Sequence, residues 1–157
     1  MTHRRNAVTA IRIRQALLDD VDAIAPLFDA YRGFYGQPSD VERARAWLHD
    51  RLQRAESVVL LATRDDVPAG FTQLYPMFSS VRTARLWLLN DLYVDASARR
   101  SGVARALLDA AAAFAREDGA AGIALETMRD NAPARALYRA AGWHEDETQW
   151  YSLGFTG

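Results

Sequence analysis

Residues 84–127 read as a strand, a glycine turn, a helix and a second strand, and this run constrains the fold more than any other. The stretch "ARLWLLNDLYV" (84–94) is apolar and ends at Asp95. After it, "RRSGVA" (99–104) is small and basic, and opens into an alanine- and leucine-rich amphipathic helix from about Gly102 to Asp118. The strand "GIALET" (122–127) follows. A strand–helix–strand unit of this kind crosses over right-handedly and makes a locally parallel pair. Ligands of such sheets bind at the carboxyl ends of the strands, which is where the glycine turn stands.

The remaining segments supply the other layers. "VTAIRIRQA" alternates apolar and polar positions from Val8 to Arg14, as a half-buried strand does. "LLDDVDAIAPLFDAYRGF" reads as a helix capped by Asp19 or Asp20 and ending near Gly33. A second helix starts at a Ser39 or Asp40 cap and runs to about Arg54. "SVVLLAT" (57–63), "GFTQLYPMF" (70–78) and residues 84–94 form a meander of three strands. The end of the chain adds a helix at about 132–141 and a last strand, "ETQWYSLGF". The order β-α-α-β-β-β-α-β-α-β describes an α/β chain, a mixed sheet with helices on its faces. A chain of 157 residues without low-complexity linkers is expected to be one domain, 1–157.

Composition removes several functions. A net charge of −1 leaves no basic footprint for nucleic acid or an anionic membrane. All 19 basic residues are arginine, so no lysine is available to a phosphate loop. With no cysteine, disulfides, thiolate metal sites and a cysteine nucleophile are excluded. His3, His49 and His144 lie far apart and show no metal-ligand spacing, so no metal is expected. No apolar h-region follows the paired arginines at the start, and no apolar run reaches transmembrane length. The expectation is a cytoplasmic protein.

Three readings compete for the glycine turn. A P-loop is out without lysine, and a dinucleotide loop needs more glycines than Gly102. A plain helix start with a glycine for close packing is the structural alternative. Against it, the free N–H groups of a helix N-terminus attract anions, worth roughly 0.3–2 kcal/mol per charge. Gly102 and Ala104 keep the backbone bare, and Arg99, Arg100 and Arg105 add guanidinium groups.

At this point "RRSGVA" (99–104) resembles the Q/R-x-x-G-x-G/A element of the GCN5-related N-acetyltransferases. Downstream, "NAPARALY" (131–138) is similar to the family's N-x-x-A-x-x-L-Y element, with "AGW" (141–143) after it. The resemblance extends over nearly the whole chain. It implies a central, mostly antiparallel mixed sheet with a splayed parallel pair and about four flanking helices. It also implies acetyl-CoA as co-substrate, its pyrophosphate on the amides of Arg100, Ser101, Gly102, Val103, Ala104 and Arg105, with Arg99 beside them. The pantetheine arm would pair with Leu92, Tyr93 and Val94, with Asn131 and Ala134 beside it and Tyr138 as the acid that protonates the CoA sulfur.

The implied reaction is direct acetyl transfer to a primary amine of a small molecule or peptide. The alternative is a non-catalytic acyl-CoA-binding or regulatory module of the same fold. "LNDLYV" (89–94) is most similar to polyamine-type and yeast histone/polyamine-type acetyltransferases, in which a glutamate base stands where this chain has Asn90. Asparagine takes no proton, so Asn90 is read as orienting water or the amine. Glu126, acting through water, is the favoured base. Asp91 is the other, set on the opposite face from Asn90 by strand alternation. Phe34, Tyr35, Tyr75, Trp87 and Glu126 are the expected substrate contacts, with Gln73 near them, and aromatic faces suit a cationic amine. The tail with Trp143 and Trp150 points to a homodimer.

Overall fold

The computed structural model describes residues 10–155. These divide into two compact units, one ending at Glu126 and the other beginning at Thr127.

The first unit is built on a five-stranded sheet in the order β1-β2-β3-β4-β5. Its strands are β1 (Ile11–Gln15), β2 (Val58–Arg64), β3 (Val67–Ser79), β4 (Ala84–Val94) and β5 (Gly122–Ala124). All neighbours are antiparallel except β4 and β5, the parallel pair that the crossover requires. Val8 and Thr9 of the expected first strand lie outside the described residues.

Three helices belong to this unit: α1 (Val21–Phe34), α2 (Val41–Gln53) and α3 (Val103–Glu117). Asp40 caps α2, its side chain accepting the Arg43 N–H at 3.0 Å. The apolar faces of α1 and α2 close over β2 and β3 through Ile24, Ala25, Leu48, Val59 and Phe71, all fully buried. Burying each large apolar side chain is worth about 1.5–3 kcal/mol, and this supplies the rigid floor of the unit. Phe71 meets Phe28 and Tyr31 edge-on, with ring centroids 6.0 Å away in both cases.

Two local irregularities matter for function. β3 and β4 slip register between Gln73 and Leu74: Gln73 pairs with Asp91, but Leu74 pairs with Leu89. Asn90 is therefore the extra residue of a β-bulge. Strict alternation would place Trp87, Leu89 and Asp91 on one face. Instead Trp87 and Leu89 share a face with Pro76 and Leu74, while Asp91 and Tyr93 share the opposite face with Gln73 and Phe71. At Gly70, an added Cβ would stand 2.6 Å from the Tyr93 carbonyl oxygen, so only glycine lets β3 approach β4 there.

The second unit carries α4 (Ala132–Ala140). Asn131 caps it, accepting the Ala134 N–H at 3.3 Å. Residues 147–155 form no strand. Their alternation of apolar residues satisfies the side-chain pattern, but a strand also needs a partner for its backbone groups. None pairs with them among the described residues, and Trp150, Tyr151, Leu153 and Phe155 are exposed.

Candidate active site

The pairing of β4 with β5 is short. It runs from Leu86–Gly122 to Leu88–Ala124 and then stops. Beyond Leu88, β4 continues to Val94 with β3 on one side only. The expected strand 122–127 is thus paired only over its first three residues, and Glu126 lies past the paired part. The two strands splay where the resemblance expects the pantetheine arm.

The free edge leads into the glycine turn. Asp95 accepts the Ser97 N–H at 3.1 Å and holds a short 3₁₀ turn at Ala96–Ala98. Arg99 Nε donates to the Val94 carbonyl at 3.2 Å, and its guanidinium lies 5.8 Å from the centre of the Tyr93 ring. Gly102, at φ +87°, is the N-cap of α3, and open space lies where a Cβ would be. Unlike α2 and α4, α3 receives no side-chain cap. The first intrahelical bond is Ala106 N–H to the Gly102 carbonyl, so the amides of Val103, Ala104 and Arg105 have no helical partner. Arg105 pairs with Asp109 at 3.1 Å, whereas Arg100, at φ +62°, is exposed. The turn offers uncapped amides and guanidinium groups, which fit a diphosphate.

On the α1 and α2 side of β4 lies a cavity of about 610 Å³. Its walls are aromatic, from Phe28, Tyr31, Tyr35, Trp47 and Tyr75. Its charged lining comprises Asp91, Asp50, Arg32 and Arg43, with Asn90 beside Asp91. Asp91 is 3% exposed. Gln73 Nε2 donates to its Oδ2 at 2.5 Å and Asn90 Nδ2 to its Oδ1 at 2.8 Å. The Tyr31 hydroxyl donates to the Asn90 carbonyl at 3.4 Å and lies against the Asp91 carboxylate. Burial raises the Asp91 pKa above the usual carboxylate value, against the opposing pull of the hydrogen bonds from Gln73, Asn90 and Tyr31. Burial and then the Asp91 charge raise Tyr31 in turn, so its phenol stays protonated.

The cavity brings together Tyr35, Tyr75 and Asn90 from the expected site residues. Trp87 lies elsewhere: its indole N–H donates to Asp118 at 2.9 Å, and its ring meets Phe114 of α3 at 5.2 Å. The register explains this, since Trp87 pairs with Pro76 and faces away from Gln73 and Tyr75. Phe34 is exposed beside Tyr35, and Glu126 is exposed and is not among the described residues lining the cavity. Asp91, set apart by alternation, enters through the bulge. A bulge leaves little mark in sequence, although the polar pair Asn90–Asp91 inside an apolar strand is the one available signal. Trp47, Arg32 and Arg43 were unmarked because they come from helices packed across the sheet.

In the second unit, Asn131 and Ala134 form the helix cap described above. Tyr138 is half-buried on α4, and its carbonyl accepts the Trp143 N–H at 2.9 Å.

Residues 23–143 match the sequence profile of the Acetyltransferase (GNAT) family. The uncharacterized N-acetyltransferase YhfO of Bacillus subtilis (strain 168) is 48% identical over 136 residues, 87% of this chain and 91% of that protein. A crystal structure described as that of a "probable acetyltransferase" superposes with a TM-score of 0.88 at 45% identity, covering 93% of this chain and 99% of its own. An aminoglycoside N(6')-acetyltransferase type 1 of Stenotrophomonas maltophilia is 30% identical over 147 residues, 91% of this chain and 92% of that protein.

Proposed function

The chain belongs to the Acetyltransferase (GNAT) family and is an N-acetyltransferase, and from that premise we propose that it transfers the acetyl group of acetyl-CoA directly to a primary amine of a small molecule held in the aromatic cavity. The observation that carries this reading is β4. One edge of it, past Leu88, is free for the amides of a pantetheine arm and leads to the uncapped start of α3. The same strand presents Asn90 and Asp91 to the cavity.

An alkyl ammonium with a pKa near 10 is about 0.1% neutral at pH 7, which costs roughly 4 kcal/mol. We assign that proton to Asp91, which is buried in the cavity wall, and the orientation of the amine to Asn90 beside it. The freed nitrogen lone pair attacks the thioester carbonyl, and a backbone N–H at the free edge of β4 meets the oxyanion. Collapse breaks the C–S bond and expels CoA thiolate. By family resemblance, Tyr138 protonates the thiolate and is reprotonated by the second proton that the nitrogen sheds as the amide forms, while the proton on Asp91 passes to water. Glu126→Gln set beside Asp91→Asn decides which carboxylate is the base.

We also carry the homodimer forward, on the exposed row Trp150, Tyr151, Leu153 and Phe155, with mass by light scattering as its check. Among the described residues no helix is long and apolar enough to cross a membrane.

The testing experiment is thermal melting with acetyl-CoA, CoA, dephospho-CoA and ATP at matched concentration. A ligand at about a hundredfold excess over its Kd adds about 2.7 kcal/mol, read as several degrees. A shift with acetyl-CoA and CoA but not ATP supports the diphosphate-and-arm site. No shift with any CoA species overturns it.

A further inference from the structure

We propose that the acceptor is a small amine that also carries one anionic group, its ammonium received by Asp91 and its carboxylate or phosphate by the guanidinium of Arg32. This rests on the acetyltransferase reading and narrows it to a substrate class.

The lining carries two carboxylates and two guanidinium groups, Asp91 and Asp50 against Arg32 and Arg43. A pocket built for polycations would be acidic throughout; this one is balanced. Arg32 is the more telling of the two arginines. Its side chain is 16% exposed, and its Nη1 is buried without a hydrogen-bond partner. The nearest carboxylate, Asp29, stands 3.9 Å away and is committed elsewhere: it accepts the Ser39 hydroxyl and the Asp40 N–H, both at 2.7 Å. Asp29 therefore leaves the Arg32 guanidinium without a full partner, and an anion in the cavity that Arg32 lines meets it with a charge-assisted hydrogen bond. Asp91 has only neutral donors around it in Gln73, Asn90 and Tyr31, so it lacks a cation of its own. One ligand with both charges satisfies both residues, and the aromatic walls cover its hydrocarbon spacer. An aminoglycoside would bring several ammonium groups against two arginines.

The test is the rate of CoA thiol release with matched pairs of amines. Short ω-amino carboxylates are set against the alkylamines of equal length, phenylalanine against phenethylamine, and aminoethylphosphonate against ethylamine. Spermidine and kanamycin supply the polycations. The expected result is that the anion-bearing member of at least one pair is used about tenfold better or more in kcat/KM, and that Arg32→Gln collapses that preference through KM rather than kcat. Arg32→Lys, which keeps the charge, restores part of it. Melting of each variant shows that it is folded.

Equal or better use of the anion-free or polycationic amines overturns the inference. So does a folded Arg32→Gln that keeps the preference. Acetyl-CoA binding is read separately by its melting shift. A shift with no turnover of any amine overturns the inference alone, whereas no shift and no turnover overturn the acetyltransferase reading.

Discussion

Two aspartates in the first unit are both buried, yet their surroundings drive them in opposite directions. Asp29 on α1 accepts a backbone N–H and a hydroxyl at 2.7 Å from the start of α2, and these bonds hold its pKa below the usual carboxylate value. Asp91 on β4 accepts from two side-chain amides at 2.5 and 2.8 Å, but burial dominates and raises its pKa. Asp29 is spent on architecture: it ties α1 to the start of α2. Asp91 lines the cavity, and in the proposed reaction it is the group that takes the proton of the amine. The two carboxylates thus differ in their donors, and the one with the raised pKa is the one that lines the cavity, the environment a general base needs.

Exchanging Asp91 for its amide should have the largest effect. Asp91→Asn keeps the shape and removes the base, and kcat/KM with the preferred amine should fall about 10²–10⁴-fold. Stability should move the other way. The raised pKa means that the native state binds its proton more tightly, so the burial cost sets in as pH rises past the unfolded carboxylate value and is full once pH exceeds the raised native value. Asp91→Asn should therefore melt no lower than the parent at pH 7. Gln73 Oε1, buried without a partner, can turn to accept from the new amide. A variant that loses activity and several degrees together would mean that Asp91 is structural.

Asp29→Asn should show the reverse profile. An amide offers one oxygen where the carboxylate offers two, which leaves the Asp40 N–H or the Ser39 hydroxyl unmet at a cost of about 1–3 kcal/mol. Melting should drop by several degrees while kcat holds. The pH dependence is opposite in sign as well. The contribution of Asp29 is present above the usual carboxylate pKa and is lost as pH falls through its depressed value. Acid titration of melting in the parent and both variants separates the two slopes.

This contrast also shows what could be read from the chain. The elements other than the expected strand at 147–155 were legible because they rest on local patterns: Asp40 before an apolar period, Gly102 between a strand and an alanine-rich helix, and a polar "SSVRT" between two strands. Tyr35, Tyr75 and Asn90, singled out from the sequence, all line the cavity. Asp91 and Trp87 were assigned opposite positions to those they hold, because one bulge residue inverts a period of two for everything before it. Arg32 and Trp47 were not legible, since no local pattern states which helix faces cross a sheet to meet a strand.

The smallest expected effect is the most specific test of the contrast. The Tyr31 hydroxyl is one of three donors that hold down the Asp91 pKa, and Asp29 has no such contact with it. Tyr31→Phe keeps the ring and its packing against Phe28, Tyr35, Phe71 and Tyr93, so melting at neutral pH should stay close to the parent. Removing the donor destabilises only the charged form of Asp91, and its pKa should rise further. In the free enzyme the base must be deprotonated to act, so the acid limb of the kcat/KM profile should move to higher pH while the plateau changes little. Tyr75, whose pKa is also raised by burial and by the Asp91 charge, is the neighbouring titrating group and stays in place. In the Asp91→Asn background the same Tyr31→Phe change should leave the residual profile where it was. A limb that moves equally in both backgrounds would assign the proton to another group, with Glu126 the first to examine.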